Sequence, residues 1–209
     1  MDFARFMQMI ESRTLWFSRL DKFEDPLEGL HTDAELAGIR KHVEKKRAEQ
    51  LIALFREARK DTYVSCWRAG KSESLAMWDL YGKGSGIVAV KSTVGLLKKA
   101  VASYDRPVFI SKVRYIGWSE RLGLDNVLVA CSRKDFSYQH EGEVRAILSD
   151  IVPQPEAGIA VPVDIKSLVA EIMVGPREKE WVVGLVEQIK KRYDLPQPLL
   201  ASDRLKPRR

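Results

Sequence analysis

The sequence is poor in the residues that build covalent or metal-bound frameworks. It holds two cysteines, Cys66 and Cys131, and three histidines, His31, His42 and His140. Two thiols make no disulfide scaffold, and no C-x-x-C or H-E-x-x-H spacing gathers ligands, so a reduced compartment and no metal are expected. Long apolar runs are absent as well. None reaches the roughly 18 residues of a membrane span, and Asp2 and Arg5 interrupt the first ten positions where a secretory signal would be apolar. These absences point to a cytoplasmic protein with no membrane association. Internal repeats and low-complexity linkers are missing too.

What is present suits one globular domain over residues 1–209, ending in a basic tail at about 203–209: the chain is 45% hydrophobic and 31% charged. Thirty-five basic against 29 acidic residues leave a net charge of +6, which favours anionic partners such as nucleotides or nucleic acid. Arg40, Lys41, Lys45, Lys46 and Arg47 crowd one stretch, and Arg204, Lys206, Arg208 and Arg209 end the chain. If this surplus is functional, the two groups should converge on one surface. Interspersed Glu44, Glu49 and Glu57 weaken that case, because they neutralise the helix at i, i+3 and i, i+4 spacing.

Strand formers fill residues 14–20 and stop at the Asp25-Pro26 turn signal. Thr32 and Glu35 make a capping box. Leu36, Ile39, Val43, Leu51, Ile52 and Phe55 then recur at helical spacing, so one long amphipathic helix is expected as far as Arg59. Residues 63–67 alternate as a strand, with Tyr63, Ser65 and Trp67 on one face and Val64 and Cys66 on the other. Further helices are expected at 72–81, 93–104, 126–133 and 178–192, and strands at 86–90, 108–116, 143–148, 159–163, 171–174 and 199–202. Strands and helices mixed without a βαβ rhythm predict an α+β fold, with helices flanking a mixed or largely antiparallel sheet.

Residues 141–147 are the most informative chemically. Strand alternation there predicts Glu141, Glu143 and Arg145 on one face, which is either a solvated face or a working pair of carboxylates. Asp25 and Glu28 read as a structural turn, with Asp25 bonding nearby amides and Glu28 fixing the loop, or as pocket carboxylates. Met77, Trp78 and Tyr81 form a core stripe or an aromatic shelf for a ring. The run from Gly82 to Gly86 precedes a strand and so reads as a helix stop; a phosphate loop would open a helix. His140 reads as a surface residue, with proton transfer beside Glu141 as the sharper alternative.

Phe23, Asp25-Pro26, Glu28-Gly29, Ser65, Met77-Trp78, Tyr81, Gly86, Lys134 and Glu141-x-Glu143-Val144-Arg145 stand in an order that resembles the uncharacterised bacterial domain-of-unknown-function family 2971, over about residues 3–148. The order of parts is also similar, more distantly, to the ADP-ribosyltransferase superfamily. That likeness implies NAD as co-substrate, with Arg19 gripping the dinucleotide, Ser65 in the hydroxyl-bearing strand, and Trp78 and Tyr81 beside the nicotinamide. It implies Glu143 as the catalytic glutamate on the ribose and Glu141 orienting an acceptor that the sequence does not identify. The expected activity is ADP-ribosyl transfer or NAD glycohydrolysis, in which a fixed carboxylate stabilises an oxocarbenium-like state. Both ribose roles require Ser65 and Glu143 in one pocket. Two other classes fit the same residues: a non-catalytic nucleotide or nucleic-acid binding module, and a hydrolase using the carboxylate pair on another glycosidic or phosphate bond.

Overall fold

A computed structural model describes residues 1–82, 84, 86–120, 126–149 and 156–202. The basic tail at 203–209, with Lys83 and Ser85 of the glycine run, lies outside the described residues. In chain order the elements are α1 (Phe3–Ser12), β1 (Thr14–Arg19), α2 (Asp33–His42), α3 (Lys45–Glu57), β2 (Tyr63–Arg68), α4 (Leu75–Tyr81), β3 (Val88–Lys91), α5 (Val94–Ala100) and β4 (Phe109–Lys112). They continue with β5 (Arg114–Ile116), α6 (Val127–Cys131), β6 (Arg133–Asp135), β7 (Glu143–Leu148), β8 (Gly158–Pro162), α7 (Ile165–Leu168), β9 (Glu171–Val174), α8 (Glu180–Arg192) and β10 (Leu199–Ala201). The fold is α+β, with a largely antiparallel sheet and helices, as expected.

The described residues divide into two compact units, each drawn from separated segments. One takes residues 1–15, 70–105 and those from 161 on; the other takes 16–69 and 106–160. In the first unit, β9 lies between β10 and β3, parallel to one and antiparallel to the other. Ile172 and Val174 of β9 and Val182, Val186 and Ile189 on one stripe of α8 are buried there. Gly82 caps α4 as a helix stop. A side chain at that position would drive Cβ to 2.3 Å from the Trp78 carbonyl oxygen, which only glycine avoids.

The second unit is built on the five-stranded sheet in the order β4-β7-β2-β1-β8. The helix expected to run unbroken to Arg59 is two helices here. α2 starts at the predicted capping box on Thr32, and α3 restarts at Glu44, whose carboxylate accepts from the backbone N–H groups of Lys46 and Arg47. Hydrophobic spacing carries across such a break because both helices bury the same kind of stripe, and no proline or glycine marks it. β2 and β7 pair antiparallel over six positions, from Tyr63 opposite Leu148 to Arg68 opposite Glu143. Directly opposed residues of an antiparallel pair share a face. Val64 and Cys66 therefore lie with Ile147, Arg145 and Glu143, and Tyr63, Ser65 and Trp67 lie with Leu148, Ala146 and Val144. On the first of these faces Leu20, Val64, Cys131 and Ile147 form a buried cluster, against which Val127 and Leu128 of α6 pack.

Candidate functional site

Five residues of the segments that carried the family resemblance meet on the Ile147 face of the second unit. Arg145, wholly buried, sends Nη1 and Nη2 to the two carboxylate oxygens of Glu28 at 2.8 and 3.0 Å. Its Nε donates to Glu143 at 2.9 Å, Nη2 reaches the other Glu143 oxygen at 3.2 Å, and Nη1 also meets the Cys131 carbonyl. Lys134 on β6 donates to Glu141 at 2.6 Å and to Glu143 at 2.9 Å, with Glu28 at 3.4 Å. The Lys134 ammonium stands 4.4 Å over the Tyr138 ring, and the Arg145 guanidinium 5.9 Å over that of Phe23.

Local chemistry explains this convergence. Asp25 accepts from the Leu27 N–H and turns the chain so that Glu28 points inward, which is the structural reading of that motif. Glu141 does not lie on the strand as expected. It ends a 3₁₀ turn, Phe136–Glu141, and Gly142 then adopts φ 54° before β7 begins. That left-handed residue replaces strand alternation in bringing Glu141 and Glu143 to the same lysine.

Burial sets the ionisation of the pair against two opposing surroundings. Burial works to raise Glu143, but the Arg145 guanidinium, the bond to Glu141 and the Lys134 charge outweigh it and hold the carboxyl well below the usual range. Glu141 is raised by burial and then by its bond with Glu143, with Lys134 only partly opposing. Burial opposes the Lys134 ammonium too, yet its carboxylate partners leave its pKa above the ordinary value.

Neither Ser65 nor Arg19 shares the sheet face that carries Glu143. Ser65 pairs with Ala146 and so faces away from Glu143, which contradicts the common ribose pocket. Arg19 pairs across from Tyr63, on the Ser65 face, and its guanidinium is bonded to Asp21 at 2.7 Å. Trp78 and Tyr81 belong to the first unit, where the Trp78 indole N–H donates to Glu73 and Tyr81 is 55% exposed. Glu143 is 4% exposed, and both of its oxygens are engaged by cations. His140 is exposed, and its ring nitrogen meets the Ser137 carbonyl at 3.2 Å.

A second feature on the same unit escaped the sequence altogether. A pocket of about 450 Å³ lies along β4 and α6, with Ile110, Leu128, Val129 and Ile147 as apolar walls and Lys112 and Arg114 as exposed cations. Arg133 also lines it but is buried and paired with Glu35 at 2.7 Å. Among the described residues, no acidic side chain lines this pocket. β4 and α6 were each visible as elements, but β4 is an edge strand only because β7 pairs β2 on its other side, and no local signal encodes that.

Arg40 of the basic stretch is paired with Glu49 at 2.8 Å, and the C-terminal basic residues lie outside the described residues. Among the described residues no helix is long and apolar enough to cross a membrane, and no group of three or more His, Cys, Asp or Glu is placed to hold a metal. No family model, curated protein or solved structure matches the chain.

Proposed function

We propose that the second unit is a non-catalytic nucleotide-binding module whose ligand enters the pocket between β4 and α6. The observation that carries this reading is the lining: apolar walls of a size to take a nucleobase, two exposed cations and, among the described residues, no carboxylate. Leu128, Val129 and Ile147 offer an apolar floor to a base, and Phe109, 44% exposed beside them, offers a stacking surface. Lys112 and Arg114 supply charge for a phosphate. Neither makes an ion pair among the described residues, so no internal partner has to be displaced.

In this reading the Glu28, Lys134, Glu141, Glu143 and Arg145 cluster is structural: it ties the turn before α2 to β6, the 3₁₀ turn and β7. NAD enters as one nucleotide among others. The family likeness keeps its place as a description of the residues that build the cluster, and the cluster's saturation argues against glycosidic chemistry there.

Calorimetric titration with ADP, NAD and adenosine tests the proposal. ADP should bind with a salt-sensitive affinity, and adenosine should bind at least about 10-fold more weakly, since it has no phosphate for Lys112 and Arg114. Equal affinities for ADP and adenosine, or no binding of any nucleotide, would sink it. Nicotinamide release from NAD that Glu143→Gln abolishes while the fold survives would return the transferase reading instead.

A further inference from the structure

The outer side of β4 presents backbone groups that no described residue takes up. Hydrogen bonding in an antiparallel ladder alternates, so each residue of an edge strand turns both its N–H and its C=O either toward its neighbour or away from it. Two contacts fix the phase. Just past β4 the Val113 N–H donates to the Glu143 carbonyl at 2.9 Å, and on the other side of β7 the Ala69 N–H donates to the Gly142 carbonyl at 2.7 Å. Glu143, Arg145 and Ile147 therefore direct their backbone groups to β4, and the residues between them direct theirs to β2. In β4, Phe109 and Ser111 lie opposite Ile147 and Arg145 and turn inward, which leaves Ile110 and Lys112 turned to the open edge. The Lys112 carbonyl accepts from the Ser111 hydroxyl at 3.3 Å. The Ile110 N–H, the Ile110 C=O and the Lys112 N–H have no partner among the described residues.

We propose that this edge is a docking site for an acidic, extended peptide segment of a partner protein, which joins the five-stranded sheet as a further strand beside β4. Main-chain pairing supplies the attachment, and charge selects the occupant. Lys112 and Arg114, both exposed, lie toward one end of the edge, and Phe109, 44% exposed, lies at the other. Among the described residues no carboxylate lines the pocket that runs along the strand. No proline interrupts β4, and all four of its residues keep register with β7, so the edge is straight enough to template another strand.

The same cations argue against a second copy of this chain as the occupant. Pairing β4 with itself would bring another Lys112 and Arg114 to the edge, and a lysine on an edge strand works against such self-pairing. A glutamate or aspartate set across from them reinforces the ladder, as opposite charges on neighbouring strands do. The segment that fits carries carboxylates in the half lying along Lys112 and Arg114 and an apolar side chain against Phe109. Strand addition uses the backbone edge, which the nucleotide reading leaves unused, so this proposal stands apart from that reading.

The probe is a fluorescent, end-capped peptide of about eight residues, with valine and threonine in one half and alternating glutamate and threonine in the other; a version with lysine for glutamate is its control. In anisotropy titrations with the full chain, the glutamate peptide should bind at least about 10-fold more tightly than the lysine peptide and lose affinity as salt rises. Two further glutamate peptides, N-methylated on one or the other set of alternate amides, separate strand pairing from charge attraction. The one whose methyl groups face β4 should bind at least about 10-fold more weakly than the one whose methyl groups face away. Ile110→Pro removes an outward N–H without removing a ladder bond, so it should weaken the glutamate peptide at least about 10-fold while its urea midpoint stays close to that of wild type. If that variant does not fold, the methylated pair on wild type decides. The proposal is overturned if the glutamate peptide does not bind, if the lysine peptide binds as tightly, if the two methylated peptides bind alike, or if folded Ile110→Pro binds like wild type. It is also overturned if the protein sediments as a dimer that Ile110→Pro dissociates, which would give the edge to a second copy.

Discussion

On β7, Arg145 and Ile147 point to the same face of the sheet and border two very different places. Around Arg145 every charged group is answered: the guanidinium bonds two carboxylates and a carbonyl, and the glutamates it holds are almost wholly buried. Around Ile147 the pocket leaves Lys112 and Arg114 exposed and without ion-pair partners among the described residues. Titratable residues alone do not separate these places, since both are rich in charge. Satisfaction does. A cluster whose donors and acceptors already match holds elements together, and a pocket whose cations have no counter-ion has capacity left for a ligand.

Substitutions can break this contrast, and the largest effect falls on the cluster. Arg145→Met should cost about 3–5 kcal/mol in urea unfolding, because it strands the Glu28 and Glu143 carboxylates in a buried site. Lys134→Met should cost about 2–3 kcal/mol by the same measurement, since Arg145 remains to neutralise two of its three partners. Ser65→Ala sharpens the comparison from the opposite side. Ser65 is buried on the other face of the sheet, so its loss should cost about 1 kcal/mol or less and leave nucleotide affinity unchanged in calorimetry. A large affinity loss from Ser65→Ala would join the two faces in one function and undo the account.

The parts of this molecule that were legible in the sequence are those encoded locally. The alternation of Tyr63 to Trp67, the capping box on Thr32, the glycine stop after α4 and the Asp25 turn each rest on a few adjacent residues, and each is present. Strand periodicity also sorted Ser65 from Cys66 correctly, yet it could not say which of those faces Glu143 would share. That depends on the register of β2 against β7, a pairing between residues about 80 positions apart. Glu141 was assigned to the strand because E-x-E fits a period of two. The left-handed Gly142 breaks that period and still delivers both carboxylates to Lys134. The pocket was not legible at all, because its walls come from residues 109–114, 126–133 and 147 and exist only once β4 becomes an edge.

The most direct measurement is calorimetric titration of ADP into wild type and into Lys112→Ala/Arg114→Ala, with thermal unfolding of both proteins run alongside. The account predicts an affinity at least about 10-fold weaker in the double variant, with stability within about 0.5 kcal/mol of wild type, because both side chains are exposed and make no ion pair among the described residues. Equal ADP affinity in the two proteins would contradict it.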